Sequence, residues 1–277
     1  MSIIRSKGRF LDISQPVIMG ILNATPDSFY NKGRDNDIDG LLGIAEKMLS
    51  KGAAILDIGG ASTKPGQELI DADTELDRVL PVITAIVQRF PDAWLSVDTY
   101  NAKVAREAVA AGVSIVNDVS AGRVDNKMLS TVATLNVPYI AMHMQGTPKT
   151  MQQDPRYDNV VTEVRHFLND VCDQCTDEGI FDVIIDPGFG FGKTVSHNFQ
   201  LLRSLHTFAA LGRPILAGLS RKSMICKPLK VNPEHALNGT TALNMVALQQ
   251  GANILRVHDV KEAKETITLF QYLQNEK

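Results

Sequence analysis

The chain has 277 residues, 44% of them apolar, with 28 lysines and arginines against 31 acidic residues and a formal net charge of -3. That length can bury one large core, and the balanced charge provides no basic field of the kind that holds nucleic acid through its phosphates. No lysine-arginine run marks a membrane surface, and no apolar stretch reaches the length that spans a bilayer. The first residues lack the apolar core of a secretory signal, and three cysteines are too few for a disulfide framework. These features predict a cytoplasmic protein with neither nucleic acid nor membrane as partner, in which any phosphate binding is local.

In chain order, Gly8-Arg9-Phe10-Leu11-Asp12-Ile13 predicts a small hairpin, within residues 1–15, that plugs the bottom of the fold. Short β-branched runs bounded by Gly, Pro, Asn or Asp then recur. They predict strands near Val17 to Asn23, Ala54 to Gly60, Trp94 to Thr99, Ser114 to Val119, Pro138 to Met144, Val183 to Pro187, Pro214 to Ser220 and Asn253 to Asp259. Between them, Asp71 to Gln88, Ala102 to Ala111, Tyr157 to Glu178 and Lys261 to Leu273 carry apolar residues at helical spacing. Nearly continuous apolar strands that alternate with helices require a parallel sheet covered on both faces and joined by right-handed crossovers. A closed (β/α)8 TIM barrel satisfies both conditions, with a doubly wound open sheet as the competing architecture. No linker-like stretch divides the chain, which predicts one domain over residues 1–277.

The strands start apolar and end in groups that ionise or hydrogen-bond: Asn23, Asp57, Asp98, Asn117, Asp186, Ser220, Arg256 and His258. In a barrel that end binds ligands, and residues two apart on a strand share a face, as Arg256 and His258 do. Any one of these acids alone reads more readily as a helix cap or a satisfied buried group. Their recurrence on nearly every strand argues for a site. Asp57, followed by Gly59-Gly60, is read as a loop support outside that site. His143, beside methionine on both sides, is read as structural, and Trp94 as core. Cys172 and Cys175 have half the spacing of a zinc site but no second pair, and fall on one face of a helix as small apolar residues. The run from Gly188 to Thr194 nearly spells a P-loop, but Pro187 stands where that motif needs glycine. Its glycines are read as letting the backbone pass close to a ligand.

Eight segments are longer and more specific than these single positions. They are Gly20-Ile21-Leu22-Asn23-Ala24-Thr25-Pro26-Asp27-Ser28-Phe29, Asp57-Ile58-Gly59-Gly60-Ala61-Ser62-Thr63-Lys64-Pro65-Gly66, Ser96-Val97-Asp98-Thr99, Asn117-Asp118, His143-Met144-Gln145-Gly146, Asp186-Pro187-Gly188-Phe189-Gly190-Phe191-Gly192-Lys193, Ser220-Arg221-Lys222-Ser223 and Arg256-Val257-His258-Asp259. In this order, over essentially the whole chain, the set resembles the dihydropteroate synthases of the folate pathway. The resemblance implies condensation of 6-hydroxymethyl-7,8-dihydropterin diphosphate with 4-aminobenzoate, releasing pyrophosphate. It assigns Asp98, Asn117, Met142, Asp186 and Lys222 to the pterin, and Asn23, Thr63, Arg256 and His258 to the diphosphate. Phe29, Thr63, Pro65, Phe191, Lys222 and Ser223 go to 4-aminobenzoate. Asp98, Lys222 and Arg256 are the implied catalytic groups. The resemblance also implies a magnesium ion, with Asn23 as its protein ligand, and a homodimer. A pterin-binding methyltransferase that uses methyltetrahydrofolate is the alternative, since fold alone does not decide chemistry. The sequence departs from the commonest family pattern at Ala61, at Lys64 and at Tyr30-Asn31-Lys32. Lysine at position 64 keeps a charge but lacks the planar two-point donor of arginine.

Overall fold

A computed structural model describes residues 3–24, 34–61, 66–147 and 149–275. It opens with an antiparallel hairpin of β1 (Ile3–Ser6) and β2 (Arg9–Asp12). The turn residues Lys7 and Gly8 both have positive φ, 51° and 76°. Such a turn matches the right-handed twist of its strands, and glycine adopts it without steric cost.

Eight parallel strands follow: β3 (Val17–Asn23), β4 (Ile55–Gly59), β5 (Trp94–Asp98), β6 (Ile115–Asp118), β7 (Tyr139–Met142), β8 (Val183–Asp186), β9 (Leu216–Ala217) and β10 (Ile254–Val257). The sheet order is β8-β7-β6-β5-β4-β3-β10-β9, and a bridge from Ile185 to Ile215 joins its two ends. The sheet is therefore closed, which excludes the open alternative and gives the expected TIM barrel. Around it lie α1 (Arg34–Ser50), α2 (Ala72–Arg89), α3 (Ala102–Ala110), α4 (Met128–Leu135), α5 (Val160–Asp177), α6 (Val195–Arg203), α7 (Ser223–Leu229), α8 (Leu237–Gln249) and α9 (Val260–Asn275). Polar caps start several of these helices: the Asp71 side chain accepts the Thr74 N–H at 2.9 Å, and Asn159 accepts that of Thr162 at 3.0 Å.

The seventh barrel strand is shorter than its sequence suggests. Only Leu216–Ala217 pairs as strand, because the chain then enters a turn in which the Lys222 N–H donates to the Leu219 carbonyl at 3.2 Å and Arg221 takes φ 57°. On α5, Cys172 and Cys175 are buried free thiols, and burial raises both pKa values, that of Cys175 to about 12. They pack as small apolar groups.

Side-chain alternation divides the barrel into two cores. The first inward residue of each strand is apolar: Met19, Ile55, Trp94, Ile115, Ile140, Ile184, Leu216 and Ile254 form one buried cluster with Ile4 and Ile13. The outward set, including Leu56, Val97, Val116, Ile185 and Val257, packs with the helices in a second cluster. The amino-terminal hairpin thus covers an apolar floor, with the Arg9 guanidinium 5.1 Å from the centre of the Trp94 ring. Ile13 is 0% exposed in that floor, so Ile13→Ala leaves a cavity that costs about 2–4 kcal/mol. The expected outcome is a lower urea midpoint at unchanged m-value.

Candidate active site

Above the floor, the inward positions of most strands are polar. Asn23, Gly59, Asp98 and Asn117 stand side by side in register on β3, β4, β5 and β6, with Asp57 beside Ser96 two residues below. Arg256 reaches into this row from β10. Its Nε donates to Asp57 Oδ2 at 2.6 Å and its Nη2 to Asp98 Oδ2 at 2.7 Å, while Asn117 Nδ2 donates to the same Asp57 oxygen at 3.1 Å. Asp57, set aside in the sequence reading, is 0% exposed and lies at the base of this network. The available signal was its position two residues after inward-facing Ile55.

Burial raises the Asp98 pKa to about 7; Arg256 opposes that rise, and Asp57 adds to it. Desolvation works against the charge on Arg256, but Asp57 and Asp98 outweigh it and hold the guanidinium protonated. On the far side of the barrel, Asp186 Oδ1 accepts the Gly188 N–H at 2.7 Å. Burial raises its pKa, against the pull of Lys222. Lys222 donates to the Phe189 carbonyl, and its ammonium lies 4.8 Å from the centre of the Phe191 ring. Burial lowers the Lys222 pKa to about 8, and Asp186 pulls the other way. Ser223 follows as the exposed first residue of α7.

The loops after β9 and β10 are tied together by side chains where the main-chain ladder is short. Ser220 Oγ lies 2.9 Å from His258 Nδ1 and accepts the His258 backbone N–H at 3.3 Å. The Ser220 hydroxyl thus holds the ring through Nδ1 and leaves Nε2 toward the exposed rim. Burial, then Arg256 and Arg221, lower the His258 pKa to about 4, so the ring is neutral at physiological pH. Beside it, Arg221 makes a two-point pair with Asp259 at 3.0 and 2.6 Å.

An apolar wall completes the mouth: Tyr100, Val119, Met142, Met144 and Met151, with Ala61 and Phe191 packed against them. The structure thus brings together Asp98, Asn117, Met142, Asp186, Lys222, Phe191 and Arg256. Asn23 is exposed at the end of β3, and among the described residues no group of three acids, histidines or cysteines is placed to hold a metal. Phe29, Thr63 and Pro65, with Lys64 and Tyr30-Asn31-Lys32, lie outside the described residues.

His143 turns away from the mouth, its Nδ1 2.9 Å from Lys193 Nζ, and burial followed by Lys193 lowers its pKa to about 2. The P-loop resemblance dissolves here, because Lys193 is 2% exposed and donates inward to carbonyls of its own loop. That loop packs so closely that a Cβ on Gly188 would fall 1.8 Å from the His143 carbonyl oxygen.

Residues 19–258 match the family described as pterin binding enzyme. A dihydropteroate synthase of Haemophilus influenzae is 46% identical over 272 residues, 98% of each chain. A crystal structure of the Yersinia pestis dihydropteroate synthase with a sulfonamide drug complex has a TM-score of 0.93 and 43% identity, covering 98% of this chain and 99% of that one. A Xanthomonas albilineans dihydropteroate synthase in complex with 7,8-dihydropteroate has a TM-score of 0.88 and 37% identity over 100% of both chains. A closed barrel with a charged mouth and these relatives define a pterin-binding transferase. The chain belongs to the dihydropteroate synthase family. These relatives do not favour the methyltransferase alternative.

The pKa values of the free site define its pH dependence. Asp98 is a carboxylate above about 7, and Lys222 is an ammonium below about 8. The kcat/KM of the synthase reaction is expected to rise with pH through 7 and fall through 8. Lys222→Arg, which stays charged, should move the alkaline limb upward by at least about one pH unit.

Proposed function

We propose that this chain condenses 6-hydroxymethyl-7,8-dihydropterin diphosphate with 4-aminobenzoate to form 7,8-dihydropteroate and pyrophosphate. The observation that best supports this is the buried Asp57–Arg256–Asp98 network, set beside Asn117, Asp186 and Lys222 under an apolar wall. A flat ring with donors and acceptors along one edge, carrying an anionic tail, matches that arrangement. The guanidine-like edge of the pterin meets the Asp186 carboxylate in a two-point hydrogen bond. Asn117 meets the ring's mixed donors and acceptors, Lys222 donates to it, and Met142 packs on its face.

The diphosphate tail lies toward Arg256 and His258 at the rim, with Asn23 and Thr63. When the carbon-oxygen bond to diphosphate breaks, the electron pair leaves with the phosphate and positive charge develops on the pterin. Asp98, fixed by Arg256, stabilises that charge without having to reorient. The amine of 4-aminobenzoate then bonds to the carbon and loses a proton. Phe191, Lys222 and Ser223, with Phe29, Thr63 and Pro65, hold the aromatic acid. Asn23 would offer one side-chain oxygen to a magnesium ion carried by the diphosphate, and the ion would supply positive charge to the leaving group.

We also place the reaction in the cytoplasm and the chain in a homodimer. An exposed apolar stripe on α9, Leu269, Tyr272 and Leu273, supports the second assignment, since its i, i+3, i+4 spacing presents one face. No described helix is long and apolar enough to cross a membrane.

Pyrophosphate release by the purified chain, given the pterin diphosphate and magnesium with and without 4-aminobenzoate, tests the main reading. Release is expected to depend on 4-aminobenzoate. It should fall about 100- to 1000-fold in Asp98→Asn, as for loss of a preorganised electrostatic partner, and collapse in Lys222→Ala. Release that ignores 4-aminobenzoate in the unmodified protein would mean that water takes the place of the amine, and would overturn this reading.

A further inference from the structure

The mechanism above leaves one buried cation unused. Lys193 is 2% exposed, and its ammonium reaches His143 Nδ1, the Gly188 carbonyl and the Phe191 carbonyl, each at 2.9 Å. These three match the three ammonium hydrogens, and the His143 backbone carbonyl is a fourth, longer contact at 3.4 Å that does not depend on the side chain at position 143. Among the described residues no carboxylate lies within ion-pairing distance of it. Burial pulls its pKa well below the usual lysine range, and Asp186, farther away, pulls it back. A buried charge without a counter-ion is costly unless dipoles converge on it. Here the Gly188 and Phe191 carbonyls and the His143 ring nitrogen do so.

The same loop faces the second substrate. Its Phe189 carbonyl accepts the hydrogen bond of Lys222, and its Phe191 ring lies against that lysine. Positive φ at Gly188, Gly190 and Gly192 (69°, 84° and 63°) lets successive carbonyls point to different sides. The Tyr157 hydroxyl donates to the Gly192 carbonyl at 2.8 Å and Asn198 accepts the Gly190 N–H at 2.6 Å, so the outer edge is braced separately. From within, Lys193 bonds both the Gly188 and Phe191 carbonyls, and it adds to the turn in which the Phe191 N–H donates to the Gly188 carbonyl at 3.1 Å.

We propose that Lys193, with His143 as its third acceptor, is a positioning residue for the 4-aminobenzoate subsite. It shapes the Gly188–Gly192 loop so that the Phe191 ring and the Phe189 carbonyl meet Lys222 and the aromatic acid. This rests on the synthase reading above. Lys193 touches no substrate and acts through Phe189 and Phe191. Of the pterin groups, Asp98 and Asn117 stand on other strands, and Asp186 meets the loop only at its first residue, through the Gly188 N–H at 2.7 Å.

The test is steady-state kinetics on Lys193→Met, His143→Leu and His143→Asn, with hydrogen exchange on the unliganded proteins. Asparagine keeps an acceptor near the position of Nδ1, whereas leucine does not. Lys193→Met is expected to raise the KM for 4-aminobenzoate at least tenfold while the KM for the pterin diphosphate stays within threefold. His143→Leu should raise the first KM at least threefold, and His143→Asn should stay within twofold of the unmodified protein. Amides of residues 188 to 192 should exchange at least tenfold faster in Lys193→Met. Equal changes in both KM values, or equal effects of leucine and asparagine at position 143, would overturn the proposal. So would unchanged exchange in the loop. If Lys193→Met does not fold, the two His143 variants decide alone. An unmodified protein that forms no product would refute the synthase reading, and the exchange arm would still decide the role of Lys193 in the loop.

Discussion

A guanidinium taken out of water inside a barrel persists only if carboxylates are brought with it, and Arg256 brings two. Asp57 holds its Nε and Asp98 its Nη2, at 2.6 and 2.7 Å. Removing one member of such a buried pair leaves an uncompensated charge, which costs about 3–5 kcal/mol, so the three side chains constrain one another. That constraint sets the rest of the mouth. Asp98 cannot swing, Asn117 is drawn down onto Asp57, and the carboxylate that meets developing charge on the pterin is already oriented. The cost of burying these groups falls on stability, and the preorganisation it provides lowers the barrier to reaction.

The charged layer is affordable to the fold because of what lies beneath it. The floor cluster, with Ile4 and Ile13 closing it from below, supplies apolar burial that polar inward positions cannot. On four strands the two layers differ by one inward step: Ile55 then Asp57, Ile115 then Asn117, Ile184 then Asp186, Ile254 then Arg256. Stability and chemistry are thus separated along the barrel axis by a single side-chain repeat.

At the rim, side chains take over where backbone pairing stops. The strand β9 has two residues, and the sheet closes beside it through one bridge. The Ser220–His258 and Arg221–Asp259 contacts extend the short β9–β10 ladder upward, and Lys222 and Ser223 follow them. On the β8 side of β9, the Gly188–Gly192 loop is built around a lysine. Both loops converge on Lys222, which therefore has its position fixed from two directions.

Much of this was legible in the sequence. Strand positions and their inward faces follow from a period of two, and helices from a period near 3.6, because side-chain direction is a local property of the backbone. Those periods place Asp98, Asn117, Asp186 and Arg256 at strand ends, and the long motifs that carry the resemblance single out the same residues. Partnership was not legible. Asp57 and Arg256 are 199 positions apart, and they meet only because the sheet closes, bringing β10 beside β3. The inward turn of Lys193, which makes a P-loop lookalike into a scaffold, depends on the backbone around Gly188 and on the nearby His143. By itself the sequence determined which residues face the axis and in what layer. Only the tertiary structure decided which charges pair, because a buried charge takes the partner that chain closure brings within reach.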